Sequence, residues 1–354
     1  MLLVEITING TVNRVSADGH ALVNNWPPRV IAFDAPTMAI PSDHGGFAKL
    51  TYGSIAFNPI LFRADWPPPV SCPIAIYYSD TTEAARELVL SGTAHLGSFD
   101  RESISYSIFG PSYDETIADG TVYSDTLANV LTTILTSVTE ITSVNTSLAR
   151  SPSPAVSHTT SGEQLAIDLA SNMAQFFSHL FYVHDGTAHL VDMKVDNGSR
   201  TLTEFQFFAF PKYQYKAPTS KALASVADTE YSQFSDYPYG SDLSETPYHS
   251  AQVNIETALA DVLDLENAPR ISFDMPMIAG NFPLLGEKIT LPDSGNVLGL
   301  LSWIRSRKLQ YDFLGQVINV EGEGEIAAAA PETFYILSEN GYIVKDESGN
   351  PLTL

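Results

Sequence analysis

The tightest constraint on this chain's fold is a dipeptide, Asp185-Gly186. Phe181-Tyr182-Val183-His184 precedes it and Thr187-Ala188-His189-Leu190-Val191 follows, and both runs favour extended backbone. A two-residue type I′ turn needs positive φ at both central positions, and Asp-Gly supplies them at the least steric cost. The spacing therefore predicts a hairpin in which His184 faces Thr187 and Tyr182 faces His189. Upstream, Ser161 is placed to cap a helix and Gln164, three residues on, to reach back to the cap. Leu165, Leu169, Met173, Phe176 and Phe177 then recur at helical spacing. A helix packed on a hairpin is expected across residues 161–193.

Either side of this unit the chain reads as strands. Leu2, Val4, Ile6 and Ile8 alternate with other residues, as in a half-buried first strand. Val30–Phe33, Ala48–Tyr52, Ser54–Phe57, Ile74–Tyr78 and Ile104–Ile108 are β-prone, and Leu88–Ala94 reads as a strand ending. Short, evenly spaced strands of this kind build a barrel or a sandwich. Trp26-Pro27-Pro28 and Trp66-Pro67-Pro68-Pro69 read as stiff loops, each with a Trp plugging a gap in the core. Leu127, Val130, Leu131, Ile134, Leu135 and Val138 predict a second helix, and Ser151–Pro154 a loop.

After residue 195 the strands resume at Arg200–Thr203, Tyr213–Tyr215 and Ala222–Tyr231. Residues 232–250 read as an exposed loop, and Ile255, Leu259, Val262 and Leu263 as a helix ended by Pro269. Further strands are expected at Ile271–Phe273, Ile289–Leu291, Leu300–Ile304, Lys308–Tyr311 and Gln316–Val320. Glu321-Gly322-Glu323-Gly324-Glu325 then reads as a pause closing the domain. Tyr335–Ile343 and Val344–Leu352 echo one another as an acidic C-terminal repeat with little to bury alone. The expected class is α+β, mainly β. The expected divisions are 1–118 (β), 119–195 (an α/β insertion), 196–330 (β, with a helix near 255–265) and 331–354 (an extension).

Charge narrows the function. Lys and Arg number 18 against 41 Asp and Glu, a net charge of −23 over 354 residues. Nucleic-acid binding relies on cations that neutralise phosphates, so this balance opposes it, as it opposes docking on anionic lipid. No run approaches the ~20 apolar residues of a membrane span. The first eight residues lack the basic start of a signal peptide, and Glu5 interrupts their apolar run. A soluble protein made in the cytosol is expected. Cys72 is the one cysteine, so no intrachain disulfide forms, and it reads as a small buried hydrophobe.

The candidates for chemistry are few. His179, His184 and His189 lie near Asp185 and Asp192, residue types that bind metals. The hairpin register does not make the histidines converge, HExxH and CxxC are absent, and ordinary surface or half-buried histidines are expected. Acid pairs suited to glycoside hydrolysis carry no information among 41 acids. The sequence contains no GxSxG, P-loop or GxGxxG motif. Tyr231, Tyr237, Tyr239 and Tyr248 are the one candidate aromatic sugar site.

The order of parts carries a resemblance. A β region leads to the unit with Gln164–Ala170 and Phe181–Val191, then to a second β region holding Pro283-Leu284-Leu285-Gly286-Glu287-Lys288-Ile289-Thr290-Leu291, and to Val320-Glu321-Gly322-Glu323-Gly324. This resembles the tail hub (baseplate hub) proteins of tailed bacteriophages over most of residues 1–330. The resemblance implies two tube-like β-barrel domains per subunit and a homotrimer whose pseudo-six-fold ring continues the tail tube. It implies a virion protein at the distal end of the tail, joining the tube or distal tail protein to the tip or central fibre. DNA then crosses its channel without specific binding. No catalytic, cofactor-binding or metal-binding residue is implied. Other tail-tip components, such as a distal tail protein or receptor-binding adhesin, remain alternatives, as does a carbohydrate-active protein.

Overall fold

The computed structural model describes residues 2–17, 26–34, 37–50, 53–79, 86–194, 199–201, 212–214, 216–268, 270–276, 285–291, 300–312 and 315–326. The first region holds β1 (Leu2–Ile8), β2 (Thr11–Ser16) and β3 (Val30–Asp34), then three short strands, β4 (Thr37–Ala39), β5 (Gly46–Phe47) and β6 (Lys49–Leu50). β7 (Gly53–Phe57), β8 (Ser71–Tyr78), β9 (Glu87–Phe99) and β10 (Ile104–Phe109) follow. Seven of these make one antiparallel sheet in the order β2-β1-β8-β9-β10-β7-β3. Alternation decides its faces: Leu2, Val4, Ile6 and Ile8 enter the core with Ile74, Ile76, Ile104 and Ile108. Phe57, Phe62 and Tyr106 fill the centre with ring centroids 5.7–6.1 Å apart.

The sheet curls until its edges meet at one end. Ser16 donates its N–H to Pro27 O (3.0 Å) and accepts from Arg29 N–H (3.0 Å), so the end of β2 is tied to the start of β3. Trp26 is buried over the other face beside Leu3 and Tyr77, as expected of a core plug. Trp66 is not a plug: it is 55% exposed and meets the exposed Phe99 edge-on at 5.4 Å. The sequence resemblance of the two Trp-Pro segments hides this difference, because burial depends on which sheet face each loop crosses. The strand expected to end at Ala94 runs on to Phe99, held by β8 and β10 on either side.

The middle of the chain contains β11 (Thr116–Ile117), β12 (Val122–Thr126), α1 (Leu127–Leu135), β13 (Ser143–Leu148), β14 (Ala155–Thr159), β15 (Gln164–Leu165), α2 (Ala166–Phe176), β16 (His179–His184) and β17 (Thr187–Asp192). β16 and β17 pair antiparallel with His184 opposite Thr187 and Tyr182 opposite His189, as the turn residues predict. Asp185 and Gly186 have φ of 47° and 70°. The helix, however, begins later than the expected cap. Gln164 and Leu165 pair with Ile117 and Thr116, and the residue at the cap position is Leu165, with no side-chain capping bond. Strand pairing takes the backbone groups that a Ser161 cap was expected to serve, and Leu165 stays outside the apolar face.

The hairpin separates two cores. Leu180, Tyr182, Val191 and Met193 join the core of the seven-stranded sheet. Phe181, Ala188 and Leu190 face α1, α2 and a third helix in a second core. Successive side chains on a strand point to opposite faces, so a strand buried on both sides reads as a continuous apolar run. Each fully buried Leu or Phe in such a wall stabilises the fold by roughly 1.5–3 kcal/mol.

The last region holds β18 (Ser199–Thr201), β19 (Lys212–Gln214), β20 (Thr219–Val226), β21 (Thr229–Phe234), β22 (Ser241–Glu245), α3 (Gln252–Asn267), β23 (Arg270–Pro276), β24 (Lys288–Leu291), β25 (Leu300–Asp312) and β26 (Gly315–Ile326). The single strand expected at 222–231 is two, because Ala227 and Asp228 adopt positive φ (45° and 69°) and turn β20 into β21. Part of the expected 232–250 loop is β22, laid parallel to β20. The strands expected at 300–304 and 308–311 are one strand, β25. The acidic pause Glu321–Glu325 lies inside β26, where its backbone pairs with β25 and β23. Leu202, Thr203, Tyr215, Pro283, Leu284 and the extension 331–354 lie outside the described residues.

Residues 37–50 cross between these sheets. β4 pairs with β25 at Ser306–Lys308, and β5 pairs in parallel with β16 at Leu180–Phe181. A strap from the N-terminal region thus adds strands to two other sheets.

Candidate functional site

The histidines and aspartates of residues 179–192 do not converge. His189 stacks on Tyr182 (centroids 4.9 Å, planes 8° apart), and His184 sits half-buried beside the turn. His179 corrects the expectation of a surface or half-buried group, being fully enclosed. Its Nδ1 lies 2.7 Å from Phe177 O, so it donates there, and Nε2 accepts from Arg150 N–H at 3.4 Å. Burial pushes its pKa down and keeps the ring neutral.

Asp192 is wholly buried and belongs to a seam of charges that sequence reasoning did not find. Arg150 Nε and Nη2 donate to its two oxygens at 2.8 and 3.0 Å, and Nη1 donates to Asp261 Oδ2 at 2.7 Å. Burial alone raises a carboxyl's pKa; here the Arg150 guanidinium bonds and the Lys194 N–H outweigh it, and Asp192 is held below its ordinary value. Lys194 Nζ reaches Asp264 Oδ2 at 2.8 Å. Lys216 Nζ bonds Asp43 Oδ2 (3.0 Å) and Leu265 O (2.9 Å).

His44 forms the other end of the seam. Its Nδ1 is 2.7 Å from Glu266 Oε1, and its Nε2 is 3.1 Å from Glu245 Oε1, off the axis of a good hydrogen bond and so best described as an ion pair. Burial lowers its pKa, but the two carboxylates prevail and raise it to about 9, so the ring is cationic at neutral pH. Next to it, Gly45 has φ of +126°, and a Cβ there would stand 2.1 Å from His179 O. Only a residue without a side chain lets the strap lie this close to β16.

The seam ties the strap to β22, α3 and the hairpin, with every carboxylate answered by a cation. The two nitrogens of His44 each face one acid, so these three groups point at one another and not at a shared centre. Among the described residues no group of three or more His, Cys, Asp or Glu side chains is arranged to hold a metal ion. Burial also pushes the Cys72 thiol up to about 11, leaving it protonated and unreactive. What this arrangement does chemically is clamp.

The four tyrosines are not one site. Tyr248 is buried against Phe176 and His158, and Tyr231 packs on the second core. Tyr237 and Tyr239 are exposed, and Phe234 beside them was missed because one Phe in a polar stretch gives no periodic signal.

The fold is similar to that of solved phage tail proteins. No family model and no curated protein matches the chain. Among solved structures, it is similar to the 43 kDa tail protein of prophage MuSo2 from Shewanella oneidensis (TM-score 0.58, 12% identity, covering 92% of this chain and 99% of that one). It is similar to the tail protein from Neisseria meningitidis MC58 (TM-score 0.56, 10% identity, 91% and 96% covered). It also resembles prophage tail protein gp18 from Listeria monocytogenes EGD-e (TM-score 0.52, 8% identity, 92% and 95% covered). The likeness to phage tail proteins read from the order of parts is thus carried by the fold.

Proposed function

We propose that the chain is a structural tail hub of a tailed phage, joining the distal end of the tail tube to the tip or central fibre. The observation that carries this reading is the end-to-end likeness of fold to three tail proteins, spanning more than nine-tenths of every chain compared. In this reading residues 1–118 and 196–330 are two tube-type barrels, 119–195 is the insertion between them and 331–354 is an arm onto the tip. The curled seven-stranded sheet and the sheet built on β25 and β26 support that division. Three copies form the ring and DNA passes its channel, which a net charge of −23 per chain keeps from binding phosphates. The protein makes and breaks no bond. It is made in the bacterial cytoplasm and works at the tail's distal end. Exposed Phe234, Tyr237 and Tyr239 favour a second reading, a neighbouring tail-tip component that touches a receptor.

Two measurements test the hub. Sedimentation of the purified chain gives three times the chain mass if the ring forms. Antibody against the chain, viewed by electron microscopy on isolated tails, labels the end distal to the head; label along the tube or at the head sinks the proposal.

A further inference from the structure

Where the two cores meet at the tip of the hairpin, the structure leaves a cavity of about 320 Å³. Small-molecule sites run from roughly 300 to 1,000 Å³. The walls are the margins of both cores: Leu50 and Val89 pack on the first, and Phe47, Tyr113 and Val183 on the second. Its aromatic wall is fixed in place. Phe47 stacks on Phe181 with centroids 5.0 Å apart and meets Tyr113 edge-on at 5.5 Å. Glu140 and Asp185 line the same cavity, and hydrogen bonds tie their loops together. Thr142 donates its N–H and its hydroxyl to Gly186 O at 2.8 and 3.1 Å. Tyr113 stands close enough to Glu140 to feel its charge: burial first and that carboxylate second push the pKa of its hydroxyl up to about 12, so it stays protonated. The side chains of Tyr113, Glu140 and Asp185 have no hydrogen-bond or ion-pair partner among the described residues. Lys49 also lines the cavity and pairs with neither acid. These acids thus differ from those of the seam, and one lysine against two carboxylates leaves the cavity with negative charge in excess.

We infer that this cavity binds an apolar primary amine, with its ammonium at Glu140 and Asp185 and its hydrocarbon against the walls from the two cores. An ammonium offers three donors and no acceptor. The two carboxylates and the lone pairs of the Tyr113 hydroxyl are acceptors that nothing else in the described structure uses. Apolar area removed from water supplies the remaining affinity, at roughly 25 cal/mol per Å². Charge sets the selectivity. The excess of acid in the cavity, in a chain of net charge −23, repels a carboxylate of the same shape and attracts the cation. A free amine and the side chain of a lysine on a partner chain present the same group. This site is independent of the hub reading, since it needs neither a ring nor a tail.

The test uses the full chain and probes of matched shape: phenethylamine (cationic), 2-phenylethanol (neutral) and 3-phenylpropionate (anionic). Nα-acetyl-lysine methylamide represents a lysine in a partner chain. Binding is read by saturation-transfer NMR titration. Phenethylamine or the lysine probe binds, at least about tenfold tighter than 3-phenylpropionate, which is one decade in Kd. Glu140→Gln and Asp185→Asn each weaken amine binding about threefold and leave 2-phenylethanol unaffected. Tyr113→Phe, which keeps the ring, weakens it by a similar factor. Lys49→Met leaves amine binding intact or strengthens it. Asn tolerates the positive φ of position 185, so the turn survives, and unchanged melting curves confirm that each variant folds. Preference for the lysine probe assigns the cavity to a partner's side chain, and preference for phenethylamine to a free amine. Failure of both amines to bind overturns the inference. So does 3-phenylpropionate binding as tightly as phenethylamine, or amine binding that survives both Glu140→Gln and Asp185→Asn.

Discussion

Replacing Arg150 with Met removes a cation from three bonds while keeping much of the side chain's volume. Asp192, with no solvent exposure, is then left as a buried carboxylate lacking its bidentate partner. Two unit charges about 4 Å apart at an effective dielectric of ~20 interact by about 4 kcal/mol. Breaking a buried pair by removing one partner costs roughly 3–5 kcal/mol, because the survivor stays desolvated. Loss of the Asp261 bond adds less, that group being nearer solvent. Urea unfolding of Arg150→Met is therefore expected to show a loss of about 3–5 kcal/mol at pH 7.

The pH dependence separates this cause from simple loss of packing. In the wild type the folded pKa of Asp192 is depressed, so its contribution is present above the unfolded value near 3.9 and lost as pH falls through the folded value. In Arg150→Met the folded pKa instead rises through burial. The variant's deficit should shrink as pH falls from 7 towards 4.5, because Asp192 takes up a proton and ceases to be a buried charge. Arg150→Met/Asp192→Leu should recover most of the loss. A deficit below about 1 kcal/mol at pH 7, or one that stays constant with pH, would falsify the account of the seam.

Other perturbations test the remaining parts. His44→Ala removes a cation whose folded pKa is raised to about 9, so the wild type's advantage should be full below pH ~6.5 and vanish as pH rises through 9 in parallel melts. Gly45→Ala puts a Cβ against His179 O at a φ of +126°; a melting temperature lowered by less than that of a surface alanine control would contradict the close approach. Trp26→Ala should cost about 3–5 kcal/mol and Trp66→Ala under about 1 kcal/mol by urea titration, although their sequence contexts look alike.

What could be read beforehand follows from how local each signal is. The Asp185-Gly186 hairpin, α1 and α3 are written in short spacings of turn and apolar residues, and the structure contains them. The start of α2 misled because Ser161 and Gln164 satisfy a local capping rule that long-range pairing of β15 with β11 overrides. The long strand β25 looked broken because Arg305-Ser306-Arg307 interrupts its apolar pattern, and β26 because glycines and acids do, whereas their continuity comes from partners on both sides. The seam was invisible for the same reason. His44 meets Glu266 across 222 positions of sequence, and Arg150 meets Asp261 across 111. No local spacing encodes such contacts, and 41 acids offer too many possible partners.

The seam also changes what the acidity of this chain means. A high negative charge destabilises a compact state by self-repulsion, and interior cations are one remedy. Here Arg150, Lys194, Lys216 and protonated His44 are set against acids that come from the strap, the hairpin, β22 and α3. The strap in turn carries strands into the hairpin sheet and the β25 sheet. A small set of the 18 Lys and Arg residues and one histidine therefore fasten the places where separate β regions meet. The hairpin, whose histidines and aspartates do not converge, serves as the wall those fastenings hold. Its two-sided apolar faces join both cores, and Asp192 at its end receives the strongest clamp. The clamped wall holds both cores to one sheet, the stiffness that a link between tube and tip in the proposed hub requires.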